Sequence, residues 1–222
     1  MKILAINPGS TSTKIAVFND EEEIVRGSIQ HFSSRNDRSQ DIQVRAEEIL
    51  SFLKESSISF DFDAIACRGG ILPPMESGTY LVDDKMVDFL LHRAAIDHPS
   101  NLAAPIGLRL SEGKIPVFIT DPISVDELCE EARLSGLPQL PRISRLHALN
   151  MKAAARQIAF DLGRDVRNLN LVIAHLGGGI SVGLQLRGKM VDVNNATDEG
   201  PFSPNRTGEL PVGDVVEKCF SG

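Results

Sequence analysis

Asn7-Pro8-Gly9-Ser10-Thr11-Ser12-Thr13 is the stretch on which the reading of this 222-residue chain turns. Residues 2–7 before it and 14–18 after it are short β-type runs, so the seven residues form the tip of a β-hairpin. Small residues there leave backbone N–H groups accessible, the hydroxyls of Ser10, Thr11, Ser12 and Thr13 add donors, and Lys14 adds positive charge. Converging donors of this kind suit phosphate oxygens. The stretch is not a P-loop, because GxxxxGK[ST] is absent and a strand rather than a helix follows. Taken alone, it reads equally well as an ordinary hairpin with a solvated Ser/Thr turn.

Outward from the tip, Ile24–Ile29 reads as a third strand, completing an antiparallel meander. Apolar residues then recur at helical spacing over 41–55 (Ile42, Ala46, Ile49, Leu50, Leu53). Ala64–Cys67 is a short apolar strand ending at Arg68-Gly69-Gly70, and Met86, Val87, Leu90, Leu91 and Ala94 mark a second helix. Pro99, Pro105 and Gly107 break up the next segment. Ile115–Thr120 is a buried-strand pattern ending at Asp121-Pro122, and Ser124 with Glu127 forms a capping box for a helix through Val125, Leu128, Cys129 and Ala132. Strand–helix alternation of this kind implies parallel pairing added to the opening meander.

Gly136–Pro141 is a break and a plausible hinge, and a long helix over 146–162 is stopped by Gly163. The opening pattern then returns: Val172-Ile173-Ala174-His175, the tip Gly177-Gly178-Gly179, a strand over 180–186 and another over 190–193. Strand, small-residue loop and strand recur, with a polar residue (Asn7, then His175) ending each first strand. The repeat predicts two related domains, residues 1–145 and 146–222, the second lacking the alternating elements that complete the first. Two such loops in corresponding positions favour phosphate binding over a pair of incidental turns.

Composition narrows the function. With 23 Lys+Arg against 30 Asp+Glu the net charge is −7, which argues against a nucleic-acid or membrane-surface binder. Cys67, Cys129 and Cys219 are scattered and form no CxxC pair, so they read as free thiols. No apolar run approaches the length of a membrane span, and the start carries no signal-peptide pattern, so a soluble cytoplasmic protein is expected.

The ordered series Asn7–Lys14, Arg68-Gly69-Gly70, Thr120-Asp121-Pro122, His147-Ala148-Leu149-Asn150, His175–Gly179 and Glu199–Gly208 resembles the butyrate kinases, within the acetate kinase family. The resemblance covers essentially the whole chain. It implies an α/β protein of the actin-like ATPase (ribonuclease H-like) fold: duplicated domains with mixed sheets opening in antiparallel meanders, and hairpin loops gripping the phosphates of ATP. It also implies a reversible, Mg²⁺-dependent transfer from ATP to a short-chain carboxylate, giving an acyl phosphate and ADP in a homodimer or higher oligomer. A carboxylate is already ionised at neutral pH and needs no general base; it needs its charge neutralised as it approaches the phosphoryl group.

By the resemblance, Arg68 holds the carboxylate and Arg206 stabilises the transferring phosphoryl group. Asp121 organises Mg²⁺ or its water, His175 donates to phosphoryl oxygens, and Asn7 lies next to the metal. Gly9, Ser10, Ser12, Lys14 and Gly177, Gly178, Gly179 contact the nucleotide. His147 matches a further family histidine. Blander readings exist for each: a surface arginine at a strand end for Arg68, a loop arginine for Arg206, an Asp-Pro turn for Asp121.

Two departures qualify the match. Acetate kinases carry His-Arg-x-x-His-Gly-Gly and a Gly-Asn-Gly tip, where this chain has Cys67-Arg68-Gly69-Gly70 and three glycines. That favours butyrate or a branched acid over acetate or propionate. The chain also stops before the family's usual end, so a truncated member is expected. A non-catalytic actin-like nucleotide-binding protein is the rival of another class; Arg68, Asp121 and Arg206 argue against it.

Overall fold

The structure, a computed structural model, describes residues 1–31 and 37–221. The chain packs as two compact units, Met1–Pro73 with Gly78–Ile123, and Pro74–Ser77 with Ser124–Gly222.

The first unit opens with β1 (Lys2–Pro8), β2 (Ser12–Asn19) and β3 (Glu22–Gln30), the meander that alternation predicts. Helix α1 (Arg38–Glu55) follows, its N-terminus capped by the Asp37 carboxylate, which accepts from Ser39 N–H at 2.8 Å. Then come β4 (Ala64–Cys67), β5 (Thr79–Leu81), α2 (Asp84–His92), α3 (Ala103–Ser111) and β6 (Val117–Thr120). The sheet order is β3-β2-β1-β4-β6-β5, with β1, β4 and β6 parallel. Ile42, Ala46, Ile49 and Leu53 form one stripe of α1 and bury against Leu4, Ile6, Ile15 and Val17 in a single core. Each such Ile, Leu or Val side chain contributes about 1.5–3 kcal/mol when fully buried.

Helix α3 runs through Pro105 and Gly107, residues read from sequence as breakers. Pro105 stands in the first turn, where a missing N–H costs no intrahelical bond. Gly107 faces the sheet, and a Cβ there would lie 2.5 Å from Cys67 Sγ and 2.8 Å from Val117 Cγ1. The helix approaches the strands because that side chain is absent.

In the second unit α4 (Ala148–Asp161) precedes β7 (Asn170–Leu176), β8 (Ile180–Leu186) and β9 (Lys189–Asn194), an antiparallel sheet in that order, with α5 (Val212–Phe220) last. Gly163 follows α4 with φ +61°, as its stop role requires. The helix expected over 124–132 is absent; only a 3-10 turn forms at Glu131–Arg133. Glu127, the supposed capping-box partner, is bound elsewhere. Its Oε2 meets Lys152 Nζ at 2.8 Å and accepts from Met190 N–H at 2.9 Å, while Oε1 accepts from the Ser77 hydroxyl at 2.6 Å. Cys129 N–H donates to Val191 O at 3.0 Å, so this segment lies along β9. Residues 124–145, assigned from sequence to the first domain, therefore belong to the second unit, where Val125, Leu128 and Ala132 share a core with Leu146, Ala148, Met151, Met190 and Val193.

Candidate active-site elements

The hairpin tip is a tight turn held from beneath. Asn7 lies opposite Lys14 and Pro8 opposite Thr13, and Gly9 N–H donates to Ser12 O at 2.6 Å. Alternation along β2 sends Thr13 inward, fully buried, and leaves Lys14 exposed. Under the turn lies Arg45 of α1, a buried guanidinium. Its Nη1 donates to Gly9 O and to Thr13 Oγ1, both at 3.0 Å, and its Nε pairs with Asp41 at 2.9 Å. His31 N–H donates to Thr11 O at 2.8 Å. Ser10, Thr11 and Lys14 are left facing solvent, and Gly9 and Ser12 are half-buried.

Three parallel strands deliver three of the expected residues to one edge of this sheet. Asn7 stands near the end of β1, Arg68 follows β4, and Asp121 follows β6. The carboxyl ends of parallel strands are where open α/β sheets place functional groups. Arg68 N–H extends the ladder to Ile6 O at 2.9 Å, and its Nη1 donates to Asn7 Oδ1 at 3.3 Å. Gly69 and Gly70 hold the chain close to its neighbours: a Cβ on Gly69 would sit 2.5 Å from Pro122 Cβ, and one on Gly70 would sit 2.8 Å from Asn101 Oδ1.

Asp121 is buried and adopts φ +41°, an uncommon conformation for a residue with a side chain. Its Oδ1 accepts from Gly78 N–H at 2.9 Å, and its own N–H donates to Gly78 O at 3.0 Å. That brace is also what an Asp-Pro turn residue would make. Among the described residues no three His, Cys, Asp or Glu side chains group to hold a metal. Asn7 Oδ1 and one carboxylate suit Mg²⁺, which keeps several waters and takes its remaining oxygens from phosphate.

His98, to which sequence reasoning gave no role, belongs with Arg68. Burial, and next the Arg68 charge, hold its pKa below the ordinary imidazole value, against the opposite pull of Asp97. Ser100 N–H donates to its Nδ1 at 3.2 Å, which places the proton of the neutral ring on Nε2.

In the second unit the glycine tip joins β7 to β8, with His175 opposite Ser181. His175 stacks on His147, ring centroids 3.8 Å apart and planes 12° from parallel. His147 Nδ1 lies 2.9 Å from Ser181 Oγ, and His175 Nδ1 lies 2.8 Å from Asn150 Oδ1. The Arg206 turn closes on the same tip: Gly178 O accepts from Asn205 N–H at 2.9 Å and from the Ser203 hydroxyl at 2.8 Å. A Cβ on Gly179 would lie 3.7 Å from Arg206 Cγ and 3.9 Å from His147 Cε1. This unit thus gathers His147, His175, Gly177–Gly179 and Arg206 in one place.

Arg142 anchors that loop, bonding to Glu199 through Nε at 2.9 Å and to Asp192 at 3.2 Å. The hydrogen bond to Glu199, foremost among the causes, raises the pKa of Arg142. Arg45 and Arg142 were missed from sequence, and Asn150 and Asn205, though inside quoted motifs, were given no role, because each acts on a residue far along the chain and no local spacing signals such a pair.

Comparison with known proteins adds the class. No family model matches the chain. The Porphyromonas gingivalis acetate kinase structure superposes with a TM-score of 0.75 at 17% identity, covering 100% of this chain and 65% of that one. The Entamoeba histolytica acetate kinase superposes at 0.73 and 18% identity, covering 99% and 63%. The fold is therefore that of the acetate kinases, an actin-like ATPase fold with mixed sheets. The sequence is closer to a particular branch. It is 50% identical over 226 residues to the probable butyrate kinase 1 of Thermotoga maritima, covering 99% of this chain and 63% of that protein. It is 46% identical over 228 residues to butyrate kinase 2 of Clostridium acetobutylicum, covering 100% and 64%. From end to end the chain is homologous to the butyrate kinases, and it spans about 64% of their length.

Proposed function

We propose that this chain carries the site residues of a short-chain fatty acid kinase, which transfers the γ-phosphoryl group of ATP to butyrate or a branched-chain acid. The observation that carries the reading is the delivery of Asn7, Arg68 and Asp121 to the same ends of β1, β4 and β6. The Arg68 guanidinium neutralises the carboxylate, which matches its fork. A carboxylate oxygen forms the new bond to the γ-phosphorus as the bond to the bridging oxygen breaks and ADP leaves. No proton moves in that exchange, so it needs no dedicated base.

The hairpin tip and Lys14 hold nucleotide phosphates in the first unit. In the second, Gly177–Gly179, His175, His147 and Arg206 supply donors and charge to phosphoryl oxygens. Mg²⁺, held by Asn7 and Asp121 largely through water and phosphate, would neutralise the phosphates. A cytoplasmic, homo-oligomeric working form accompanies this reading; among the described residues no helix is long and apolar enough to cross a membrane.

The test is hydroxamate detection of acyl phosphate with ATP, Mg²⁺ and acetate, butyrate or isobutyrate. Butyrate or isobutyrate should give the highest kcat/KM, and Arg68→Ala should abolish the signal while circular dichroism stays unchanged. A folded chain that forms no hydroxamate with any acid, or clearly prefers acetate, overturns the proposal.

A further inference from the structure

We propose that Asn150 is a positioning residue that fixes His175 with its proton on Nδ1 and its Nε2 directed at the glycine tip. The inference rests on the reading above that this tip receives phosphoryl oxygens. An amide oxygen only accepts hydrogen bonds, so Asn150 Oδ1, 2.8 Å from His175 Nδ1, requires an N–H at that position. A neutral imidazole carries one N–H, so Nε2 is left with its lone pair. Nε2 faces the tip: a Cβ on Gly177 would lie 2.9 Å from it. The ring therefore donates to an anionic oxygen there only when both nitrogens are protonated.

The stacked partner is held differently. His147 Nδ1 lies against the Ser181 hydroxyl, which both donates and accepts, so that contact commits His147 to neither tautomer. The stack restrains both rings, but Asn150 dictates the proton of one alone. Asn150 is exposed in the first turn of α4, inside the helix and not at its N-cap, which is His147. Asparagine is a modest helix former. Its placement is explained by the bond to His175.

Long-range ¹H–¹⁵N spectra of the imidazoles in this 222-residue chain, taken where the rings are neutral, test the assignment. Wild type should show His175 protonated on Nδ1. Asn150→Leu should release it towards the Nε2-protonated form, and Asn150→Asp should retain Nδ1–H. In the hydroxamate assay Asn150→Leu, which frees the ring to turn away from the tip, should lower kcat on the order of 10- to 100-fold, the scale of partners that orient a functional histidine. KM for ATP and for the acid should stay near wild type, and Asn150→Asp should restore most of kcat. An Nε2-protonated ring in wild type, an unchanged tautomer in Asn150→Leu, or an unchanged kcat beside a changed tautomer would each sink the inference. The spectra need no turnover, so a chain with the Nδ1–H ring but no phosphotransfer fails the functional reading and not this one.

Discussion

The Glu127 carboxylate and the Lys152 ammonium face each other at 2.8 Å with both side chains buried. Burial alone would raise the Glu127 pKa; the Lys152 and Ser77 hydrogen bonds and the Met190 N–H overcome it and leave the pKa lowered. Removing one partner of such a pair strands the other charge. Lys152→Met should therefore destabilise the chain by about 3–5 kcal/mol in urea unfolding, and adding Glu127→Leu should recover much of that loss. The same pair sets a pH dependence. A lowered folded-state pKa gives stability that is complete above the unfolded value, about 4.3, and is lost as pH falls through the folded one. Glu127→Gln should flatten the acid limb of the stability profile, and an unchanged limb would assign it to other carboxylates. Cys67 behaves in the opposite sense: burial pushes its thiol pKa up to about 12. A disulfide reagent at neutral pH should label Cys129 and Cys219, which are exposed, and reach Cys67 only after unfolding.

For secondary elements, the sharpest test is α3. Replacing Gly107 with alanine improves helix propensity by about 1 kcal/mol, yet the new Cβ would press on Cys67 Sγ and Val117 Cγ1. Overpacking should win, giving a net loss of about 1–3 kcal/mol in chemical unfolding. A more stable Gly107→Ala protein would mean that α3 yields easily. This helix also shows where sequence reading ends. Pro105 and Gly107 look like breakers, since nothing local says that one occupies a first turn and the other touches a strand some forty residues earlier. Ser124 and Glu127 misled in the opposite direction, because their spacing matches a cap while Lys152 claims the carboxylate. The hairpins at both tips and the ends of β1, β4 and β6 were legible, because period-two alternation and the stop of an apolar run are local signals. Asn150 was not; its partner is twenty-five residues away.

For the whole chain, the −7 net charge opposes association, while the second unit favours it. Its sheet has β7 at one edge, with Val172 and Leu176 each about three-quarters exposed. Phe202, Val212 and Phe220 add exposed apolar area. An uncharged edge strand with a bare apolar row invites pairing. Light scattering should show concentration-dependent self-association, and Val172→Lys with Leu176→Lys should suppress it. A monodisperse monomer at high concentration would show that the exposed row is tolerated.

Arg45 reaches under the first hairpin tip from α1 and fastens Gly9 and Thr13 in the interior. The shape of the tip is thereby set when the chain folds, and its ordering entropy is lost at that stage rather than when a ligand arrives. Exchange of the Gly9 amide, which is bonded to Ser12 O across the turn, should then be slow in the free chain and change little with ATP. In Arg45→Met that amide should exchange fast when free and slow markedly on binding, moving the cost of order from folding to recognition.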